Sequence, residues 1–316
     1  MNISNAACIG TGLIGQGWAT VFALKCKKVI LQDISKDRLL KSIEKINQNL
    51  EFMEKNKLID LGEAQKAIAN ISFTVDVAKA VQSADYVQES IPDDYMLKTE
   101  VFTIMDKHAP KHTLLASSAS GLTMTQIQES VKNPGRCLLV HPCLPVHLIP
   151  CVEISGGGQT DPKTTNIARE FMEFLGKEPV MLNYEISGHI VNRLQAALLR
   201  EAMDLVDQGV ASAEDVDKAF RLGVGLRDPL VGPLLRAHLA GNGIENFIHT
   251  YGKSYTYRYE SMANWTSIPK STAKKVAKSV NDMDIVQTQN LEDVKNWRDE
   301  MLVKILRILR ESNNLY

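Results

Sequence analysis

Apolar residues in the first half of the chain fall into short runs separated by stretches of helical spacing. Ala6-Ala7-Cys8-Ile9 reads as a buried strand, Ile14 to Cys26 has helical spacing, and Lys28-Val29-Ile30-Leu31-Gln32-Asp33 is a second short run ending in an acid. Strand, helix, strand is how a βαβ unit reads in sequence, because parallel neighbours need a crossover between them. From Asp37 to about Lys66 charged and apolar residues alternate at helical spacing. Further strands are predicted at Ile71-Ser72-Phe73-Thr74, Tyr86-Val87-Gln88-Glu89, Leu114-Leu115-Ala116-Ser117 and Cys137-Leu138-Leu139-Val140. The alternation continues to about residue 182. After Ser187-Gly188 the pattern changes, since Asn192 to Gln208, Ala213 to Leu222 and Leu291 to Glu311 are long amphipathic runs with little room for strands. The predicted fold class is α/β, with a doubly wound, mostly parallel sheet over residues 1–185 and an all-helical domain over 186–316.

Composition supports that division and narrows the partners. A chain of 316 residues exceeds the usual single core, and 44% hydrophobic with 23% charged residues is globular composition. The 36 basic residues balance 37 acidic ones, for a net charge of −1, so neither nucleic acid nor membrane is attracted broadly and a small-molecule partner is expected. Cys8, Cys26, Cys137, Cys143 and Cys151 are odd in number and lack Cys-x-x-Cys spacing, which reads as reduced thiols rather than a disulfide frame or zinc site. No metal ligand set is expected. The opening Met1-Asn2-Ile3-Ser4-Asn5 has no basic patch leading into an apolar stretch, and no segment approaches the roughly 18 apolar residues of a membrane span, so a cytoplasmic protein is expected.

Between the first strand and the first helix lies Gly10-Thr11-Gly12-Leu13-Ile14-Gly15, a G-x-G-x-x-G sequence. The first glycine permits the tight turn, the second lets backbone approach a pyrophosphate, and the third allows close helix packing, with the helix N-terminus facing the phosphates. This is a Rossmann start. Asp33 ends the next strand where a carboxylate would accept from the adenosine ribose hydroxyls and repel a 2′-phosphate. NAD is therefore favoured, while Lys36 and Arg38 keep NADP open.

Further along come Val87-Gln88-Glu89-Ser90-Ile91-Pro92, Ser117-Ser118-Ala119-Ser120, His141-Pro142, Val152-Glu153, Gly188-His189-Ile190-Val191-Asn192-Arg193-Leu194 and Asn296-Trp297-Arg298-Asp299. This ordered series resembles the 3-hydroxyacyl-CoA dehydrogenase superfamily, most closely its lambda-crystallin or L-gulonate 3-dehydrogenase branch. The resemblance implies that His141 is the acid or base for the substrate 3-hydroxyl and that Glu153 holds its imidazole. Histidine suits this role because its ordinary pKa, about 6.5, lies near working pH. Ser120 and Asn192 would hydrogen-bond the substrate oxygen as it becomes a carbonyl. Asp93, Lys98 and Ser118 would lie on the cofactor side. The resemblance also implies homodimerisation through the helical domain.

The branch leaves the substrate open. Leu144, in Pro142-Cys143-Leu144-Pro145, stands where the family usually carries asparagine and cannot replace its hydrogen bonds. Cys143 is read as a small buried residue, since hydride transfer needs no nucleophile. Arg227 could clamp a free carboxylate, which a thioester would not require, or serve an ion pair with Asp228. Tyr251, Tyr255 and Tyr259 recur at helical spacing, with Tyr257 and Trp265 near, and could cage a quaternary ammonium or pack between helices. The expected activity is NAD-dependent oxidation of a small 3-hydroxy acid, L-gulonate above all. The alternatives are a 3-hydroxyacyl-CoA such as 3-hydroxybutyryl-CoA, L-carnitine, and a non-catalytic NAD-binding role.

Overall fold

Alternate residues of the first strand, β1 (Asn5–Ile9), face opposite cores: Ala6 and Cys8 join one apolar cluster, Ala7 and Ile9 the other. A strand buried on both faces needs small or apolar residues throughout, and β1 supplies them. The computed structural model describes residues 3–311; Met1 and Asn2, where the leader reading starts, and residues 312–316, the end of the predicted helical domain, lie outside the described residues. Two compact units make up the chain, Met1–Arg193 and Leu194–Tyr316.

In the first unit, β1 is joined by β2 (Lys28–Gln32), β3 (Ile71–Thr74), β4 (Tyr86–Glu89), β5 (Leu114–Ser117), β6 (Cys137–Pro142), β7 (Cys151–Gly156) and β8 (Glu178–Met181). They form one sheet in the order β3-β2-β1-β4-β5-β6-β7-β8. Every pairing is parallel except β6 with β7, so the last two strands run against the first six. Trp18, Phe22, Tyr86 and Phe171 fill the core on one face; Val87, Phe102, Met105 and Leu115 fill the other. The strand order reverses between β1 and β4, and such a switch point opens a crevice at the carboxyl ends of the strands. Gly10, Asp33, Ser90 and Ser118 directly follow β1, β2, β4 and β5, and His141 sits in the last rungs of β6, all along that one edge.

The stretch of helical spacing from Asp37 to about Lys66 forms two helices, Lys36–Lys55 and Glu63–Ala69. Lys57 and Gly62 take left-handed backbone, with φ of 55° and 84°, which no helix can continue through. The strand predicted over Cys137–Val140 runs on to Pro142, which places His141 on the strand itself.

The second unit is helical, with no strand among its described residues. Among residues 194–311 only Ala213, Gly241, Thr272 and Val303 are buried, while Leu198, Leu199, Leu222, Leu226, Leu234 and Ile248 are exposed. No helix of the described residues is long and apolar enough to cross a membrane.

Candidate active site

The glycine loop is shaped for a close-lying anion. Gly10 has φ of +83°, and a Cβ there would stand 2.9 Å from the Ser90 carbonyl oxygen. At Gly15 a Cβ would fall 1.9 Å from the Gly10 carbonyl oxygen, so the helix can approach the strand only as glycine. Gly12 is the opposite case, with nothing within 4 Å of its Cβ position. It caps the helix Leu13–Lys25 without a side-chain bond and without an acid in the first turn, leaving N–H groups for phosphate oxygens. Leu13 is exposed beside it and Ile14 is half-buried. The loop therefore fits a dinucleotide pyrophosphate. Asp33 Oδ2 accepts from Thr11 N and Thr11 Oγ1, both at 2.9 Å, and Oδ1 accepts from Ile34 N at 2.7 Å, so the acid also braces the loop. Arg38, largely exposed, reaches to 3.8 Å from Asp33.

The other residues expected on the cofactor side form an internal network. Ser118 Oγ accepts from Trp18 Nε1 at 3.2 Å and Gln88 Nε2 at 2.8 Å and shares a bond with Ser90 Oγ at 2.9 Å. Lys98 is fully buried; its ammonium donates to Glu89 Oε1 at 2.7 Å and the Ile91 carbonyl at 3.0 Å and lies 3.5 Å from Asp93. Asp93 Oδ2 in turn accepts from Ser120 N, Ser120 Oγ and Gly121 N, each at 3.1 Å. Burial pulls the Asp93 carboxyl upward, but the Gly121 N–H, Lys98 and Ser120 outweigh it and hold the group below its ordinary range. An ionised carboxylate only accepts, so the Ser120 proton points at Asp93.

His141 and Glu153 are directly opposite each other across β6 and β7. His141 Nδ1 lies 2.9 Å from Glu153 Oε2, and Glu153 Oε1 accepts from Ile190 N at 2.7 Å and Val191 N at 3.0 Å, where the helix Val191–Asp207 begins. Glu153 is fully buried, which raises its pKa, yet His141 and the two backbone N–H groups overcome this and lower it overall. An ionised Glu153 accepts the hydrogen bond from Nδ1–H, which leaves the Nε2 lone pair as the one that can take a proton. That nitrogen is 3.5 Å from Asn192 Nδ2. Ser120, His141, Glu153 and Asn192 thus belong to one unit and converge near the strand edge, drawn together by a strap that includes Gly188 N donating to the Ser120 carbonyl at 2.9 Å.

A second histidine, His189, joins this site. Its ring lies over His141 at 4.6 Å between centroids, 28° from parallel, in a residue with φ of 48°. Nε2 faces the Ala119 carbonyl at 3.0 Å, while Nδ1 is buried without a hydrogen-bond partner among the described residues. Burial lowers its pKa, with His141 adding to the effect, so the ring stays neutral and donates from Nε2. The only signal in the sequence is a histidine within the Gly188–Leu194 motif; the stacking is a tertiary fact. Cys143, expected to be buried, is half-exposed, and Leu144 is 50% exposed.

Arg227 lies in the second unit and is exposed. Asp228 pairs with Arg236 rather than with its neighbour. In the helix Ile244–Ser261, Tyr255 packs on Phe247 at 5.6 Å and on Tyr259 at 5.8 Å, and the Arg258 guanidinium sits 4.5 Å over the Tyr255 ring. A cation from the chain itself already covers that aromatic face.

Two family models match in series: the NAD binding domain of 3-hydroxyacyl-CoA dehydrogenase over residues 5–186 and the C-terminal domain of the same enzyme over 188–279. An L-carnitine dehydrogenase of Bacillus cereus is 32% identical over 98% of this chain and 94% of its own length. The human lambda-crystallin homolog is 28% identical, covering 98% of both chains. Among solved structures, an NAD+ dependent dismutase, 5-formyl-3-hydroxy-2-methylpyridine 4-carboxylic acid 5-dehydrogenase, superposes with a TM-score of 0.83 at 27% identity. That superposition covers 98% of this chain and 99% of the other.

Proposed function

The chain belongs to the 3-hydroxyacyl-CoA dehydrogenase family as an NAD-dependent oxidoreductase, and from that premise we propose that it oxidises the 3-hydroxyl of a small free 3-hydroxy acid with His141 and Glu153 as the acid-base pair. The observation carrying this reading is the 2.9 Å bond from His141 Nδ1 to Glu153, which leaves Nε2 basic beside Asn192. NAD supplies the hydride acceptor when bound. His141 Nε2 takes the hydroxyl proton, and Glu153 balances the imidazolium that forms. The Asn192 amide donates to the substrate oxygen as it gains carbonyl character. Ser120, whose hydroxyl donates to Asp93, can donate to that oxygen only by turning away from Asp93. Gly10, Gly12, Leu13, Ile14, Gly15 and Asp33 hold the dinucleotide, and Lys98 and Ser118 support it by fixing Asp93, Glu89 and Ser90.

A free acid rather than a thioester rests on Arg227, exposed and not paired with Asp228, as a carboxylate clamp. The carnitine dehydrogenase relatives make L-carnitine the first free acid to test, ahead of L-gulonate. The working assembly is a cytoplasmic homodimer joined through the helical domain beginning near residue 186, a reading supported by how little of 194–311 the single chain buries.

NADH formation from NAD should be followed with L-carnitine, L-gulonate, L-3-hydroxybutyrate and 3-hydroxybutyryl-CoA in parallel. Turnover is expected on one free acid, and Arg227→Gln should raise KM for it about 10–100-fold, the worth of a charge-assisted bond, with little change in kcat. A preference for the thioester, or an unchanged KM, contradicts the free-acid reading.

A further inference from the structure

Beyond the rung that pairs His141 with Glu153, β6 and β7 pair Pro142 with Val152; extending that register by one step sets Cys143, the residue just past the end of β6, across from Cys151, the first residue of β7. Opposed residues of an antiparallel pair share a face and stand about 4.5–5.5 Å apart at Cα, within the roughly 4.4–6.8 Å that a disulfide spans. Residues two apart on a strand also share a face, so the two thiols lie beside the His141–Glu153 rung. The two thiols are near enough that each bears on the other's titration. Both are half-buried, whereas Cys8, Cys26 and Cys137 are fully enclosed.

We propose that Cys143 and Cys151 are an oxidation site that hydrogen peroxide closes to a disulfide next to the acid-base pair. Cys151 is the attacking thiol, because the neighbouring Cys143 thiol, with help from the Lys177 ammonium, holds it below the ordinary thiol range against burial and Glu153. The three enclosed thiols are poor competitors, burial pushing Cys26 and Cys137 up to about 12 and Cys8 higher still. In the first step the Cys151 thiolate attacks one peroxide oxygen, an S–O bond forms as the O–O bond breaks, and the departing hydroxide leaves as water after taking a proton. In the second, Cys143 attacks the Cys151 sulfenic acid; the S–S bond forms, the S–O bond breaks, and the Cys143 proton leaves with the hydroxide as a second water. Two thiols lose two electrons and two protons, and one peroxide is reduced to two waters. The proposed loss of turnover rests on the His141–Glu153 reading; the thiol chemistry does not.

The test treats the reduced full-length protein with hydrogen peroxide and reads intact mass, free thiols, linked peptides and NADH-forming activity. The expected product has lost two hydrogens, titrates three thiols rather than the five of the sequence, and links the peptides of Cys143 and Cys151. Its activity should fall about 100-fold, as a small displacement beside the chemistry can cost, and return with dithiothreitol. Cys143→Ser should keep the reduced activity, form no disulfide and accumulate a Cys151 sulfenic acid that dimedone traps. Five remaining thiols, or a disulfide linking other cysteines, would overturn the proposal. A Cys143–Cys151 disulfide with unchanged activity would uphold the site and overturn the catalytic reading of the neighbouring rung.

Discussion

Glu153 uses both carboxylate oxygens, one on His141 and one on the two N–H groups at the start of the helix Val191–Asp207. Glu153→Gln should lower turnover about 10²–10⁴-fold while NAD binding survives, and should cost about 1–3 kcal/mol of stability at pH 7. Because Glu153 titrates lower in the folded chain than in the unfolded one, its contribution is complete above the unfolded value, about 4.3, and is lost as pH falls through the folded value. Urea unfolding of both proteins from pH 7 downward should show the stability gap closing in acid; a gap that widens there contradicts the assignment. Gly10, Gly12, Gly15 and Asp33 are legible in sequence because their chemistry is local, a turn and a strand end. His189 is not, because its role depends on a ring brought from another segment and a carbonyl, Ala119, seventy positions away.

At the scale of elements, the first six strands are legible because each is a short apolar run between helical stretches. The segment that became β7 carries its own signal: Val152 and Ile154 are apolar while Cys151, Glu153 and Ser155 alternate with them, a period of two. What no spacing dictates is that β7 turns back against β6, the reversal that sets Glu153 opposite His141. The helix Tyr95–His108 makes a further test. Its Lys98 sits with Glu89 in a fully buried ion pair, so Lys98→Met should strand the carboxylate and destabilise the protein by about 3–5 kcal/mol. Adding Glu89→Gln should recover a large part of that loss, as read by urea unfolding. If Lys98→Met changes only the KM for NAD and leaves stability intact, the residue acts on the cofactor directly.

At the scale of the whole molecule, the predicted division into a sheet-bearing and a helical part was legible because the strand signals stop before Gly188. The sequence pattern also displays the apolar stripes of the helical part, but not what covers them. Within the described residues of 194–311 four are buried, which is the observation that supports the homodimer proposed above, a second copy covering the leucines left outside. Light scattering after size exclusion should give twice the mass of the chain, and the unfolding midpoint should rise with protein concentration. A monomer with a concentration-independent midpoint would contradict this. In the proposed reaction His141 moves the substrate proton. The most direct test compares NADH formation by the wild type and His141→Asn on the preferred substrate, with NADH binding followed by nicotinamide fluorescence. Turnover should fall by about 10²–10⁴-fold with cofactor affinity unchanged; turnover within about tenfold of the wild type would contradict that role of His141.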